Sequence, residues 1–327
     1  MGTGGSGTGP GAAGGPGAPA AHADLREFLR SRRARIGPAE AGLGPETGGR
    51  RVPGLRREEV ARLAGISVDY YVRLERGRNT NASDTVLEAV ARALRLDPTE
   101  RAHLFALARP GSAEGAVPGR PGRAGAEGPA AARRRVGSPQ RVRPGLLRLL
   151  DSLIDTPAMV MGHRLDVLAA NTLAKAFYTD FDALPHRERN LARFLFLDPA
   201  ARTLIGDWDT AARGAVAALR LYAGRHPQDS RLTELIGELA VRDEDFRQWW
   251  ADHEVAAYTH GTKRYLHPVV GEVVLEYESL SPADDPDQAL YLYTAEPGSP
   301  SAHALRLLGS WSATRRTTTE PGRPPGA

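Results

Sequence analysis

The sequence has no cysteine, which excludes disulfides, thiolate metal sites and a cysteine nucleophile, and makes the reducing cytoplasm the simplest setting. It has no apolar run near the ~18 residues of a membrane span. The first twenty residues are rich in Gly, Ala and Pro and have neither a basic n-region nor an apolar h-region, so no export signal is read there. Catalytic signatures are missing as well. There is no GxSxG elbow and no Walker loop, and the N-terminal glycines follow no strand. "HEVAAYTH" holds His253, Glu254 and His260, with His267 further on, but lacks the HExxH spacing that sets two imidazoles on one helical face. Asp284 and Asp285 fall in a turn, where solvated acids are ordinary. These absences argue against an enzyme and leave no metal or cofactor reading, and no internal repeat is present.

The 327 residues, 41% of them hydrophobic, are enough for two folded units with linkers. The net charge of +4 is unevenly spread. Residues 23–110 carry 17 arginines against 12 acids, whereas residues 142–312 carry 17 basic residues against 24 acids. A basic front half and an acidic rear half point to a polyanion partner for the front half alone. Low-complexity composition assigns 1–22 and 313–327 to disordered tails and 111–141 to a flexible linker.

Between the first tail and the linker, apolar spacing predicts five short helices. "DLREFLRSRRARI" has a capping Asp24 and apolar Leu25, Phe28, Leu29 and Ile36. "LRREEVARLAG" sets Val60, Ala61, Leu63 and Ala64 on one face and stops at Gly65, a residue suited to a left-handed cap. Ser67 caps a third helix that buries Tyr71 and Leu74 and ends at Gly77. Ser83 opens a fourth, and Pro98 begins a fifth.

Two helices joined by a short glycine turn, the second rich in polar and basic side chains, form a helix-turn-helix signature. In that arrangement the second helix lies in the major groove and reads bases from its N-terminal half. With Tyr71 and Leu74 inward, Val68, Asp69, Val72 and Arg73 face outward. Valines suit a thymine methyl, Asp69 suits cytosine N4, and Arg73 suits guanine O6 and N7. Ser67 caps the reading helix, while Tyr70, Arg76, Arg78 and Asn79 sit at its edges as phosphate contacts. Arg50, Arg51, Arg56 and Arg57 precede or begin the positioning helix, close to where phosphates would pass. Glu75 beside Arg76 reads as a helix-surface pair.

"GLRREEVARLAGISVDYYVRLERGR", followed by "SDTVLEAVARALRLDPTERAHLFALA", resembles the DNA-binding domain of XRE (Cro/repressor-like) regulators. "RRVPGLRREEVA" extends the likeness to the MmyB-like subgroup, as do "VRPGLLRLLDSL", "DVLAANTLAKAFY", "FLDPAAR", "GTKRYLHPVVGEVVLEYESL" and "YTAEPGSPSAHALRLLGSW". Ala82 departs from it, standing where the subgroup often has proline.

The rear half mixes helices and strands. "MVMGHRLDVLAA" predicts a hairpin turning near Gly162, and Asn171 begins a helix. Three further helical stretches follow, the last breaking near Asp243. "TKRYLHP", "EVVLEYESL" and "ALYLYTA" predict an antiparallel sheet with one covered face, and Ser301 precedes a closing helix.

The expected architecture is multidomain: an all-α helix-turn-helix bundle, then an α+β domain that the resemblance makes PAS-like. The resemblance implies a small hydrophobic ligand, with fatty acids as the leading class. Lys263, Arg264 and His267 are the basic groups nearest the strands and would face a carboxylate. The competing reading puts those three on the outer sheet face and makes Trp249, Trp250 and Tyr258 plain core. The function read here is operator recognition on double-stranded DNA by a cytoplasmic, nucleoid-associated homodimer with no membrane partner. The alternatives are a protein-docking bundle or a catalytic rear domain.

Overall fold

A computed structural model describes residues 18–43, 54–77, 82–109, 140–253, 255, 260–282, 285 and 287–319. The chain divides into two compact units, Met1–Ala116 and Val117–Ala327.

Among its described residues the first unit is all-α, with α1 (Ala18–Arg35), α2 (Arg57–Ala64), α3 (Val68–Glu75), α4 (Asp84–Ala93) and α5 (Pro98–Ala108). Helix α1 starts at Ala18, so Asp24 lies within it and is not its cap, and residues 18–22 are helical where a disordered tail was expected. Alanine is the strongest helix former, and Ala18, Ala20, Ala21 and Ala23 carry the helix back past the first apolar position. Leu25, Phe28, Leu29, Val60, Tyr71, Leu74, Leu87, Val90, Leu94 and Leu104 are all buried and form one core. Leu63, expected inward, is 38% exposed.

The cap residues act as their chemistry dictates. Gly65 takes φ 67°, ψ 30°, and Ile66 N–H donates to Ala61 O at 3.0 Å, closing α2 in the left-handed form that favours glycine. Ser83 Oγ accepts from Val86 N–H, and Asp97 Oδ1 accepts from Thr99 and Glu100 N–H at 2.8 Å each. Ahead of α2, Gly54 lets the backbone pass against α1. A Cβ there would lie 2.4 Å from Ala34 Cα, and Leu55 N–H donates to Arg33 O at 3.0 Å.

The second unit is α+β. Among the described residues its five strands are β1 (Ala158–Met161), β2 (Val167–Ala170), β3 (His260–His267), β4 (Gly271–Leu280) and β5 (Ala289–Thr294), in the antiparallel order β2-β1-β5-β4-β3. Its helices are α6 (Pro144–Ser152), α7 (Thr172–Phe177), α8 (Leu191–Leu197), α9 (Pro199–Leu204), α10 (Trp208–Arg225), α11 (Ser230–Arg242), α12 (Glu244–Ala251) and α13 (Pro300–Thr319). The hairpin around Gly162 and the break at Asp243 fall where the sequence places them. Asp243 ends α11 and caps α12 by accepting from Phe246 N–H at 2.8 Å.

One sheet face, carrying Met159, Tyr265, Val273, Leu275, Tyr277 and Tyr293, meets the main core under the helices. The other is not bare. Leu146, Leu150 and Leu153 of the α6 segment pack on Ala158, Val160 and Leu290, so α6 covers the β1 and β5 end while Val274, Glu276 and Glu278 of β4 remain exposed. Asn171 joins three segments. Its Oδ1 accepts from Ala158 and Ala174 N–H, and its Nδ2 donates to Leu153 and Thr156 O. Helix α13 runs to Thr319, past the Ser312 boundary read for the tail. It begins before Ser301, whose hydroxyl accepts from Val274 N–H at 2.9 Å.

Candidate functional site

Ser67 takes extended angles (φ −69°, ψ 148°), and its Oγ accepts from Tyr70 N–H at 3.2 Å, starting α3. The helix is two turns long, and periodicity divides it cleanly. Tyr71 and Leu74 are fully buried, while Ser67, Val68, Asp69, Arg73 and Arg76 are exposed and Tyr70 and Val72 half-buried. Val68 is 42% exposed, a large apolar side chain left in water at the leading edge of the helix. Arg73 lies with its guanidinium carbon 5.9 Å from the Tyr70 ring centroid. One face thus offers an apolar methyl surface, a carboxylate acceptor and a bidentate donor within two turns.

What holds that face in place was misread in the sequence. Glu75 is not a surface partner of Arg76; it is 2% exposed and pairs with Arg33 of α1 at 3.1 Å and with Arg57 of α2. A buried carboxylate needs such partners, and here they come from two different helices, so Glu75 pins α3 against both. The signal was present, since Glu75 lies four residues after buried Tyr71 on the same helical stripe. Arg57, expected on phosphate, is therefore tied to Glu75 and its pKa is raised, first by that hydrogen bond. Arg56 is half-buried, and its N–H donates to the Glu59 carboxylate at the start of α2. A parallel anchor went unread: buried Glu100 of α5 takes Arg32 at 3.0 Å and Arg35 at 2.8 Å. Arg50, Arg51, Arg78 and Asn79 lie outside the described residues.

In the second unit β3 separates the three candidate ligand groups by strand alternation. Lys263, Tyr265 and His267 share the inner face, and Arg264 points outward, 3.5 Å from Asp207. His267 is saturated: Nδ1 accepts from Val269 N–H at 3.2 Å, and Nε2 lies 3.3 Å from Ala176 O. Its ring stacks on Phe177, and burial lowers its pKa, so it is a neutral core histidine. Lys263 differs. Its Nζ lies 4.5 Å from the Tyr277 ring centroid, it has no carboxylate partner among the described residues, and burial pushes its pKa down to about 8.

Beside Lys263 stands a group of tyrosines. Tyr178 and Tyr265 share a hydrogen bond of 2.6 Å between hydroxyls, and burial raises the pKa values of Tyr178, Tyr265 and Tyr293, which therefore stay protonated. Trp249 packs in the core with Trp208 and Phe196, as the plain-core reading had it, and Tyr258 lies outside the described residues.

Residues 142–308 match the family described as MmyB-like transcription regulator ligand binding domain, slightly more than half the chain. The chain belongs to that MmyB-like family. Residues 24–104 match a helix-turn-helix domain, which contains α3 and its anchors. No curated protein matches the chain. The two domains make this MmyB-like chain a DNA-binding transcription regulator with a small-molecule ligand-binding domain. Among the described residues no helix is long and apolar enough to cross a membrane.

Proposed function

We propose that this regulator binds a specific operator as a homodimer, with the Val68–Arg73 edge of α3 in the major groove. The observation that carries the reading is the exposed edge of α3 itself, held by buried Tyr71, Leu74 and Glu75. Arg73 and Asp69 read bases, and Arg76 contacts phosphate. Dimerisation follows from the two half-sites, about 34 Å apart, that such proteins read.

The ligand is a fatty acid or a similar lipophilic acid, its carboxylate on Lys263 and its chain in the apolar interior. Lys263 is the candidate anchor because it is half-buried, inward and without a carboxylate partner among the described residues. A ligand shifts operator affinity only by the difference in its affinity for the two conformations.

Selection of bound sites from random DNA returns operator, spacing and symmetry together. On the selected site, Arg73→Ala relaxes preference at one base position by about 1–3 kcal/mol, whereas Arg76→Ala weakens all sequences alike and flattens the salt dependence. The assignment of the reading helix fails if neither substitution alters binding. Native mass spectrometry of the purified protein tests the ligand, and consistent absence of any bound lipophilic acid counts against it.

A further inference from the structure

A second site lies away from the inner face of β3. A cleft of about 410 Å³ opens between β2, the turn after β1 and the first turns of α8 and α11. Its apolar lining is Leu168 and Leu235 alone, too little for an acyl chain, and the remainder is polar and rich in arginine.

The acceptors in the wall are already used. Arg164 takes Asp166 and Asp229 at 2.7 Å each, and Asn190 donates to Arg164 O and Asp166 Oδ1 while accepting from Arg193 N–H. Arg193 holds Glu238 at 2.7 Å. Burial opposes the charge on Arg164, yet the two aspartates outweigh it and raise its pKa.

The donors are not used up. Arg187 meets Glu234 at 3.4 Å with both side chains mostly in water, a contact of little strength. The Arg231 guanidinium has no carboxylate partner among the described residues, and its neighbour Ser230 presents a hydroxyl. Counting Asp166, Asp229, Glu234 and Glu238 against the four arginines leaves no net charge, so hydrogen-bond geometry, not a strong field, decides what binds.

We propose that this cleft binds a small polar molecule through an oxyanion group, carboxylate or phosphate, received by the planar forks of Arg231 and Arg187. Its place gives binding a consequence. Gln140 lines the cleft, its Oε1 accepts from His163 N–H at 2.6 Å, and its Nε2 donates to Asp287 O at 3.3 Å. Gln288 Nε2 donates to Arg141 O at 3.2 Å. These bonds fasten residues 140–141, where the chain enters the ligand-binding domain, so an occupant stiffens that attachment.

Calorimetric titration of the full chain with glucose 6-phosphate and with inorganic phosphate tests the site. Glucose 6-phosphate is expected to bind more tightly than inorganic phosphate, and Arg231→Ala to weaken it by about tenfold or more. Arg231 is exposed, so its truncation leaves the fold intact. Arg231→Lys, which keeps the charge and loses the fork, falls between the two. Arg264→Ala, on the outer sheet face, leaves binding unchanged, and amide exchange at residues 141–143 slows when the sugar phosphate is bound. The proposal is overturned if neither probe binds by about 10 mM, if Arg231→Ala binds as the parent does, or if Arg264→Ala loses as much.

Discussion

Replacing Glu75 by alanine removes the carboxylate that draws α1, α2 and α3 together and leaves two arginines without it. Breaking a buried ion pair from one side costs about 3–5 kcal/mol. The low end applies, because Arg57 is 47% exposed and rehydrates, and Arg33 keeps its 2.8 Å bond to Leu55 O. At about 3 kcal/mol, and about 4–8 °C per kcal/mol for a domain of this size, the melting point of the helical unit falls by about 12–24 °C. Arg57→Ala removes the solvated partner and costs less than about 1 kcal/mol. Calorimetric melting of the full chain, with hydrogen exchange over residues 57–76 to assign the transition, separates the two. Equal destabilisation by Glu75→Ala and Arg57→Ala refutes the buried-anchor argument. Operator affinity of Glu75→Ala drops along with exchange protection in α3, since the edge proposed to read bases is positioned by the same carboxylate.

Other consequences can be measured in the same way. Lys263 titrates near 8 in the folded protein against 10.5 when unfolded. Between those values the unfolded chain binds the extra proton, so stability rises with pH across that window and is lowest, and flat, below it. Lys263→Met removes this slope in urea melts and stabilises the protein at pH 7 by at most about 3 kcal/mol; with the proposed lipophilic acid on Lys263, the same variant loses that binding and parent affinity for the acid falls as pH rises through 8. Asn171→Ala breaks four hydrogen bonds, two of them fully buried, and is expected to cost about 3 kcal/mol in the same melts. Gly54→Ala drives a methyl into the backbone of Ala34 and costs about 1–3 kcal/mol by overpacking, with faster exchange at Leu55 N–H as its local sign.

Local chemistry was legible in the chain. Gly65, Ser67, Ser83 and Pro98 act through their own backbone and side-chain preferences, so the end of α2 and the starts of α3, α4 and α5 could be read from them, and the periodicity of Tyr71 and Leu74 named the face of α3 left exposed. The β1–β2 hairpin and the break at Asp243 followed for the same reason. Alternation along β3 also contained the separation of Lys263 from Arg264, although proximity in sequence had grouped them.

The rest depended on partners distant in the chain. Arg33 lies 42 residues from Glu75 and Arg164 lies 65 from Asp229, and no local pattern announces which charge will meet which. Whether His267 is an anchor or a saturated core residue turned on the Ala176 carbonyl, 91 residues away. Sequence alone determined where elements begin, end and turn their apolar faces, because those are matters of neighbouring residues. Tertiary structure decided which buried charges are satisfied and which remain open, because the energy of a charge in a protein interior depends on what surrounds it in space.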